Sequence, residues 1–139
     1  QCVLAYLDLN RFKPINDQLG HHVGDQVLRI VAERLEGSVR KNDLVARLGG
    51  DEFAILLRDI PSRDNAEAVM DQLIARIEAP ISVENSITTD VGTAIGLAMS
   101  NPGTMTVDDL IRDADAAMYQ AKARGQGSAY QWSDAAVPA

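Results

Sequence analysis

The sequence predicts a mixed α/β domain of the α+β, ferredoxin-like type, in which helices flank a central and mainly antiparallel sheet. Short aliphatic runs of strand length are separated by longer stretches whose apolar residues recur at helical spacing. Two of the short runs flank a pair of glycines, which is typical of an antiparallel hairpin. The resulting order of strand, helix, hairpin, helix, strand, helix and strand contains the β-α-β-β-α-β succession of ferredoxin-like folds.

Length and composition are those of an ordinary globular protein. The 139 residues suffice for one domain with a substantial core, and 46% of them are hydrophobic against 24% charged. The net charge of −7 disfavours binding to nucleic acid or anionic membrane, but it is compatible with a nucleotide that arrives with divalent cations. The lone Cys2 cannot form an internal disulfide, so we expect a cytoplasmic protein.

No targeting or membrane segment is visible in the sequence. The apolar runs all fall short of the ~20 residues that a membrane-spanning helix needs, so we expect no direct membrane contact. Because the chain begins inside a predicted strand, we expect it to be a segment of a longer protein.

The first strand is predicted from Cys2 to Leu9, and it is apolar on both faces, as in an interior strand. Asp8 falls at its carboxyl end, where an acidic residue either terminates the strand or faces a ligand. The next residues form a turn into a short helical segment that Pro14 is placed to start. Free backbone N–H groups at such a start favour an anion.

A longer helix follows and is predicted to end near Val39. It is indicated by an apolar stripe at helical spacing: Val27, Leu28, Val31 and Leu35. Asp25 stands immediately before the stripe, and a helix N-cap is the alternative to a ligand-binding role for this residue. His21 and His22 have no Cys or suitably spaced His partner, so we interpret them as loop residues rather than metal ligands.

The hairpin is predicted from two strands, Leu44 to Leu48 and Phe53 to Leu57. Gly49 and Gly50 between them allow the positive φ of a tight turn. The adjacent acids 51 and 52 are explained by a solvated turn, but two acids after two glycines also describe a site for a cation or a phosphate.

The rest of the chain continues the alternation of helices and strands. A helical stripe covers residues 66 to 77, and a strand is predicted from Ser86 to Met99, with glycines that bend it or approach a neighbour. A turn at Asn101 to Gly103 and a capping box at Thr106 precede the last helix. Tyr130 to Trp132 is interpreted as a final edge strand.

Four stretches together identify a family. They occur in the order Tyr6 to Asp17, Leu19 to Asp25, Gly49 to Phe53 and Ala114 to Lys122. In this combination the chain resembles the GGDEF family, the diguanylate cyclase domain of bacterial cyclic di-GMP signalling. The resemblance implies a single GGDEF domain over residues 1–139, with the palm-type fold of nucleotidyl cyclases. It also implies that the helix that usually precedes the first strand is missing here.

The resemblance implies a metal centre and a catalytic loop. Mg²⁺ (or Mn²⁺) would be held by three side chains and one carbonyl oxygen: those of Asp8, Asp51 and Glu52, and that of Leu9. Gly49 and Gly50 would form the active-site loop, with Asp51 and Glu52 as the catalytic residues. Whether Asp51 shares a metal or deprotonates the 3′-hydroxyl is left open. Asn10 stands where many members carry Asp, which we interpret as a tolerated variation.

The resemblance also implies how GTP would be bound. The phosphates are assigned to the amides around three residues and to one ammonium group: Arg11, Phe12, Lys13 and Lys122. Asn16 and Asp25 would read guanine, because a carboxylate accepts from the N1–H and amine of the base while an amide both donates and accepts. Gln126 replaces an Arg that the family usually has, so the affinity for GTP is expected to be lower; Arg124 is a candidate to compensate.

Arg40 and Asp43 match the RxxD product-inhibition site of the family, where cyclic di-GMP binds. An exposed ion pair worth under ~1 kcal/mol is the alternative interpretation.

We therefore expect a diguanylate cyclase, which condenses two GTP into cyclic di-GMP with release of two pyrophosphates in an antiparallel homodimer. The alternative is an inactive module that binds GTP or cyclic di-GMP and regulates an attached phosphodiesterase domain. A more remote interpretation is cyclisation of a single nucleotide, or use of a different base. No nucleic-acid partner is expected.

Overall fold

A computed structural model describes residues 1–100, 105–125 and 127–134 of the chain. Its centre is a five-stranded sheet in the order β2-β3-β1-β6-β7, in which only β6 and β7 run parallel. The helices and strands in chain order are β1 (Val3–Asn10), α1 (Phe12–Leu19), α2 (His21–Glu36), β2 (Leu44–Gly49), β3 (Glu52–Leu57), α3 (Arg63–Glu78), β4 (Ile81–Val83), β5 (Ile87–Thr89), β6 (Gly92–Met99), α4 (Val107–Lys122) and β7 (Ala129–Trp132). The predicted mainly antiparallel sheet with flanking helices is confirmed.

The central strand β1 divides the core into two layers. Its odd-numbered side chains, such as Leu7, join the larger apolar cluster that α1, α2 and α3 build on one face of the sheet. Its even-numbered side chains face α4, where Leu4 packs with Ala98, Leu110 and Ala114. Because strand side chains alternate, Asp8 belongs to the face that α4 covers.

Helix α4 lies unusually close to β6. A methyl carbon built on Gly96 would overlap the carbonyl oxygen of Ala114 and the backbone nitrogen of Met118, and would lie 2.9 Å from the carbonyl carbon of Ala114. The predicted capping box fixes the start of this helix, since Thr106 Oγ1 accepts from the N–H of Asp109 at 3.1 Å. The expectation that a glycine of this strand approaches a neighbour is confirmed.

The edge strand β7 is anchored to α3 as well as to β6. The Nε1–H of Trp132 donates to Glu67 Oε2 at 2.7 Å, and the guanidinium of Arg63 lies 4.7 Å from the centroid of the indole ring. Together these contacts hold the last described strand against the third helix.

The predicted start and end of α2 are wrong. Gly20, at a φ of 92°, separates α1 from α2, so α2 already begins at His21, and both histidines are helical rather than loop residues. Asp25 is consequently the fifth residue of α2 and not its N-cap. The helix also ends at Glu36 rather than near Val39.

The predicted strand from Ser86 to Met99 is two strands. A 3-10 turn at Glu84–Ser86 folds β5 back onto β4, and the pair forms a separate two-stranded sheet. Only β6 enters the main sheet, where it pairs with β1. The predicted turn at Asn101 to Gly103 lies outside the described residues. Within the described part of the chain, no helix is both long enough and apolar enough to cross a bilayer.

Candidate functional site

The end of β1 and the tip of the β2–β3 hairpin meet at one end of the sheet. Asp8 is the direct cross-strand partner of Glu52, and the N–H of Leu9 donates to the carbonyl oxygen of Asp51 at 3.2 Å. Directly opposed strand residues have Cβ atoms about 5 Å apart. The carboxylate of Asp8 is thereby brought to the adjacent acids Asp51 and Glu52, which lie more than forty residues further along the chain.

Glycine conformations and one arginine shape the hairpin tip. Gly49 and Gly50 have φ values of 143° and 50°, both in the range that favours glycine. The pairing register shifts between Arg47 and Gly49. The guanidinium of Arg47 donates twice to the carbonyl oxygen of Gly50, at 3.0 and 2.8 Å. The predicted tight turn is confirmed, and Arg47 adds a clamp that the sequence did not reveal.

Asp8 has one satisfied and one unsatisfied oxygen. The ammonium group of Lys122, in the last turn of α4, contacts Asp8 Oδ2. Asp8 Oδ1 is buried and has no hydrogen-bond partner among the described residues. A buried carboxylate oxygen without a partner is energetically unfavourable, and a bound cation would satisfy it.

The residues at this end of the sheet therefore fit a Mg²⁺ ion. In the described part of the chain, no three His, Cys, Asp or Glu side chains form a preassembled metal cage. Mg²⁺ does not require one, because it usually binds through one or two carboxylates and completes its shell with water and substrate phosphates.

Negative charge is concentrated here. Burial, followed by the charge of Asp8, raises the pKa of the Asp51 carboxyl. Both causes make the ionised form of Asp51 less favourable in the absence of a cation.

Tyr6 completes the site, and the sequence analysis assigned it no role. Its hydroxyl donates to Glu52 Oε1 at 3.3 Å. Burial, followed by the charge of Glu52, raises the pKa of Tyr6 to about 12, so the hydroxyl stays protonated at neutral pH. Tyr6 stands two residues before Asp8, and this period-two spacing, which puts both side chains on one face of the strand, was the available signal.

Comparison with known proteins agrees with this geometry. Residues 1–128 match the family model described as "Diguanylate cyclase, GGDEF domain". The chain belongs to the GGDEF family. The loop at Gly49 to Phe53, at the tip of the β2–β3 hairpin, is therefore the GGDEF motif of this family.

Relatives of this GGDEF domain include a protein named as a cyclase and one named as a phosphodiesterase. The chain is 44% identical over 128 residues to the diguanylate cyclase TpbB of Pseudomonas aeruginosa, covering 92% of this chain and 29% of that protein. It is 34% identical over 131 residues to the cyclic di-GMP phosphodiesterase PdeB of Shewanella oneidensis, covering 94% of this chain and 15% of that protein. The chain thus spans less than a third of these relatives.

A crystal structure of the GGDEF domain of TpbB has the same fold. It superposes with a TM-score of 0.90 at 41% identity, covering 97% of this chain and 83% of that one. The palm-type cyclase fold expected from the sequence is therefore confirmed.

The turn predicted to bind phosphate opens α1 of the GGDEF domain. Arg11 adopts the left-handed conformation, with a φ of 65°, at the N-cap, and Pro14 is the third residue of the helix rather than its start. The Arg11 side chain pairs with Asp90 at 3.3 Å. Phe12 is buried and Lys13 is exposed. The phosphate role of these amides remains a prediction.

The two residues predicted to read guanine lie on neighbouring helices. Asn16 is half-buried on α1, whereas Asp25 is exposed on α2. Asp25 lines a surface depression together with Arg29 of the same helix and Arg47 of the hairpin. This depression lies between α2 and the GGDEF hairpin, and the guanine assignment stays a prediction.

The predicted inhibition pair forms an internal unit. Asp43 is buried and accepts hydrogen bonds from the N–H of Arg40 at 2.8 Å, from its Nε at 3.2 Å and from the N–H of Arg58 at 3.0 Å. Burial by itself would raise the pKa of Asp43, but these hydrogen bonds outweigh it and hold the pKa below its usual value. The alternative interpretation as an exposed ion pair is wrong for Asp43.

This pair and the GGDEF tip lie at opposite ends of β3. Arg58 follows the strand, whereas Glu52 begins it. Six residues of extended chain span about 20 Å. The structure therefore does not bring Arg40 and Asp43 into the carboxylate site of the same chain.

Two residues, Asn10 and Gln126, depart from the family pattern, and the structure describes only the first of them. Asn10 is buried, and its amide donates to the carbonyl oxygen of Gly127 at 3.2 Å, a bond that an ionised Asp would not make. Gln126 lies outside the described residues. Arg124 donates to the carbonyl oxygen of Tyr130 at 3.3 Å and contacts Gln131 Oε1, so it is engaged at β7.

Proposed function

We propose that this GGDEF domain is a diguanylate cyclase that converts two GTP molecules into cyclic di-GMP and two pyrophosphates. The observation that supports it most is the meeting of Asp8, Asp51 and Glu52 at one end of the sheet. There Asp8 has a buried carboxylate oxygen without a partner among the described residues, and its other oxygen contacts the Lys122 ammonium. A nucleotidyl transfer site requires carboxylates that bind a divalent cation and, next to them, a positively charged side chain that binds phosphate.

The reaction consists of two equivalent phosphoryl transfers. In each, the 3′-oxygen of one GTP forms a bond to the α-phosphorus of the other, and the bond from that phosphorus to the leaving pyrophosphate breaks. The proton of the 3′-hydroxyl passes to a base, and the two alternative roles of Asp51 are this base and a ligand that shares the metal. One domain would hold one GTP, so two copies must meet in an antiparallel homodimer.

Each group of residues has a distinct part in binding. Mg²⁺ (or Mn²⁺), held by the Asp8, Asp51 and Glu52 side chains and the Leu9 carbonyl, would neutralise phosphate charge in the transition state. Lys122 would supply its positive charge to the triphosphate. The remaining contacts would come from the amides and side chains at the start of the helical layer: Arg11, Phe12 and Lys13 for phosphate, and Asn16 and Asp25 for guanine.

Cyclic di-GMP would also act as an inhibitor through Arg40 and Asp43. Since these residues lie at the far end of β3, the inhibitor would act without occupying the active site of the same chain. The proposed substrate is GTP and the proposed product is a cyclic dinucleotide signal. Both imply that the domain works in the cytoplasm.

The deciding experiment measures the product. Concentrated protein is incubated with GTP and Mg²⁺, and the products are separated and identified by mass. We expect cyclic di-GMP from the wild type, at a specific activity that rises with protein concentration because two copies are needed. Asp51→Asn should yield none while keeping the fold, whereas Asp71→Asn, an exposed change on α3, should behave as wild type. Retained turnover in Asp51→Asn would remove the catalytic assignment.

A regulatory module is the second candidate. It is favoured by the relative PdeB, a phosphodiesterase that contains a matching segment, and by Gln126 in place of the usual Arg. In that case the wild type would bind GTP or cyclic di-GMP but release no cyclic product at any protein concentration.

A further inference from the structure

Gly24 and Asn16 meet at the corner between α1 and α2. The backbone fixes this corner, because the N–H of Gly20 donates to the carbonyl oxygen of Asn16 at 3.0 Å and the N–H of Gly24 donates to that of Gly20 at 3.1 Å. Gly24 is buried within the first turns of α2. The two residues are thus tied to each other through a single intervening glycine.

The space beside Gly24 belongs to the Asn16 carboxamide. A methyl carbon built on Gly24 would overlap Asn16 Oδ1 and would lie 2.9 Å from Asn16 Cγ. The same carbon would lie 3.4 Å from Cζ of the buried Phe12 ring, so the ring borders this space as well. Any side chain at position 24 would therefore displace the amide from its present place.

A glycine inside a helix needs a reason, because alanine is the better helix former. Gly24 has no positive φ that would require glycine. In this structure the reason is steric, because the Asn16 carboxamide occupies the space that a side chain at position 24 would need. An amide discriminates between hydrogen-bonding partners only if its oxygen and nitrogen are held in a defined direction.

We propose that Gly24 is a specificity-determining positioning residue, which seats the Asn16 carboxamide in the direction that reads the guanine base. This inference rests on the proposed function, in which Asn16 and Asp25 bind guanine. Gly24 itself touches no substrate. Its contribution is the absence of a side chain, which lets the amide of α1 lie directly against the backbone of α2.

A double-mutant cycle tests the proposal. The variants are Gly24→Ala, Asn16→Ala and the combination of the two, and the readouts are the dissociation constants of GTP and ITP with Mg²⁺ by calorimetry. ITP lacks the exocyclic amine of guanine, so the ratio of the two constants reports base reading. Gly37→Ala, at the other end of the same helix, is the matched control. The methyl carbon added there would lie 3.4 Å from its nearest neighbour, the carbonyl oxygen of Glu33.

We expect Gly24→Ala to weaken GTP binding about tenfold and to reduce the preference for GTP over ITP, with Gly37→Ala unchanged. In the Asn16→Ala background, adding Gly24→Ala should cause no further loss of GTP affinity. In that background Gly24→Ala should also raise the melting temperature, because alanine is the better helix former and the Asn16 amide that its methyl group would overlap has been removed. This second arm decides the matter even if the single variant folds poorly.

Two results would overturn the inference, and a third concerns the function on which it rests. Wild-type GTP affinity and GTP/ITP ratio in Gly24→Ala would refute the role of Gly24. Equal losses from Gly24→Ala with and without Asn16 would show that it acts through another group. Unchanged GTP binding in Asn16→Ala would instead refute the guanine assignment itself, and the inference would fall with it.

Discussion

The close packing of α4 on β6 gives the sharpest test of the fold. Gly96→Ala adds one methyl group where the carbonyl oxygen of Ala114 and the backbone nitrogen of Met118 already lie. Both neighbours are backbone atoms of a regular helix, so no side chain can rotate away. Since a carbon and an oxygen need about 3.3 Å, helix and strand must separate by roughly 1 Å or more.

The expected destabilisation is large for one methyl group. Overpacking in a core costs about 1–3 kcal/mol, and a backbone-to-backbone overlap belongs at the upper end of this range. For a domain of 139 residues, about 3 kcal/mol corresponds to a fall in melting temperature of roughly 10 °C. In an unobstructed strand the same change would stabilise the protein by about 0.5–1 kcal/mol, so the sign of the effect identifies the overlap.

Thermal unfolding and GTP binding measure the two consequences. The melting temperature reports the packing, and the dissociation constant of GTP reports the displacement of Lys122, which α4 holds against Asp8. Gly127→Ala is the control, because a methyl group there would have no heavy atom within 4 Å. A Gly96→Ala protein as stable as the wild type would refute the close approach of α4 to β6.

Two further predictions concern Asp43 and Tyr6. Asp43→Asn should lower the free energy of unfolding by about 1–3 kcal/mol at pH 7. Because folding lowers the pKa of Asp43 below its ordinary value, its contribution is complete above that ordinary value and is lost as the pH falls through the folded pKa. The difference between variant and wild type in urea should therefore shrink as the pH falls below the ordinary pKa of an aspartate; a constant difference would contradict the role of the ionised carboxylate. Tyr6→Phe should raise the Mg²⁺ concentration for half-maximal GTP binding about two- to tenfold, because Glu52 loses a hydrogen bond. Tyr119→Phe, at an exposed position on α4, should leave it unchanged, and equal curves for both variants would remove Tyr6 from the site.

The sequence predicted those parts of the site that local chemistry determines. Gly49 and Gly50 indicated the hairpin, and the two adjacent acids that follow them indicated a site for a cation or a phosphate. The meeting of Asp8 with Glu52 followed from the strand order that the family resemblance implied. Tyr6 was missed because its bond to Glu52 depends on the register between β1 and β3.

Other features depended on contacts that no local pattern reveals. The buried carboxylate of Asp43 accepts from the N–H of Arg58, which lies fifteen residues further along the chain. The start of α2 was misplaced because His21 and His22 were interpreted as loop residues, whereas the junction between the two helices is Gly20 alone. The β4–β5 hairpin was missed because the alternation of residues 87–91 runs on into β6 without a break in composition.

The anchoring of β7 has a practical consequence. Trp132 is the only tryptophan of the chain, and it contacts both Glu67 and Arg63 of α3. Its fluorescence therefore senses one event above all, the release of the edge strand from the third helix, whereas circular dichroism follows the whole fold. If the two signals change together on unfolding, the domain opens as a single cooperative unit; if fluorescence changes first, the strand detaches from a sheet that is still intact.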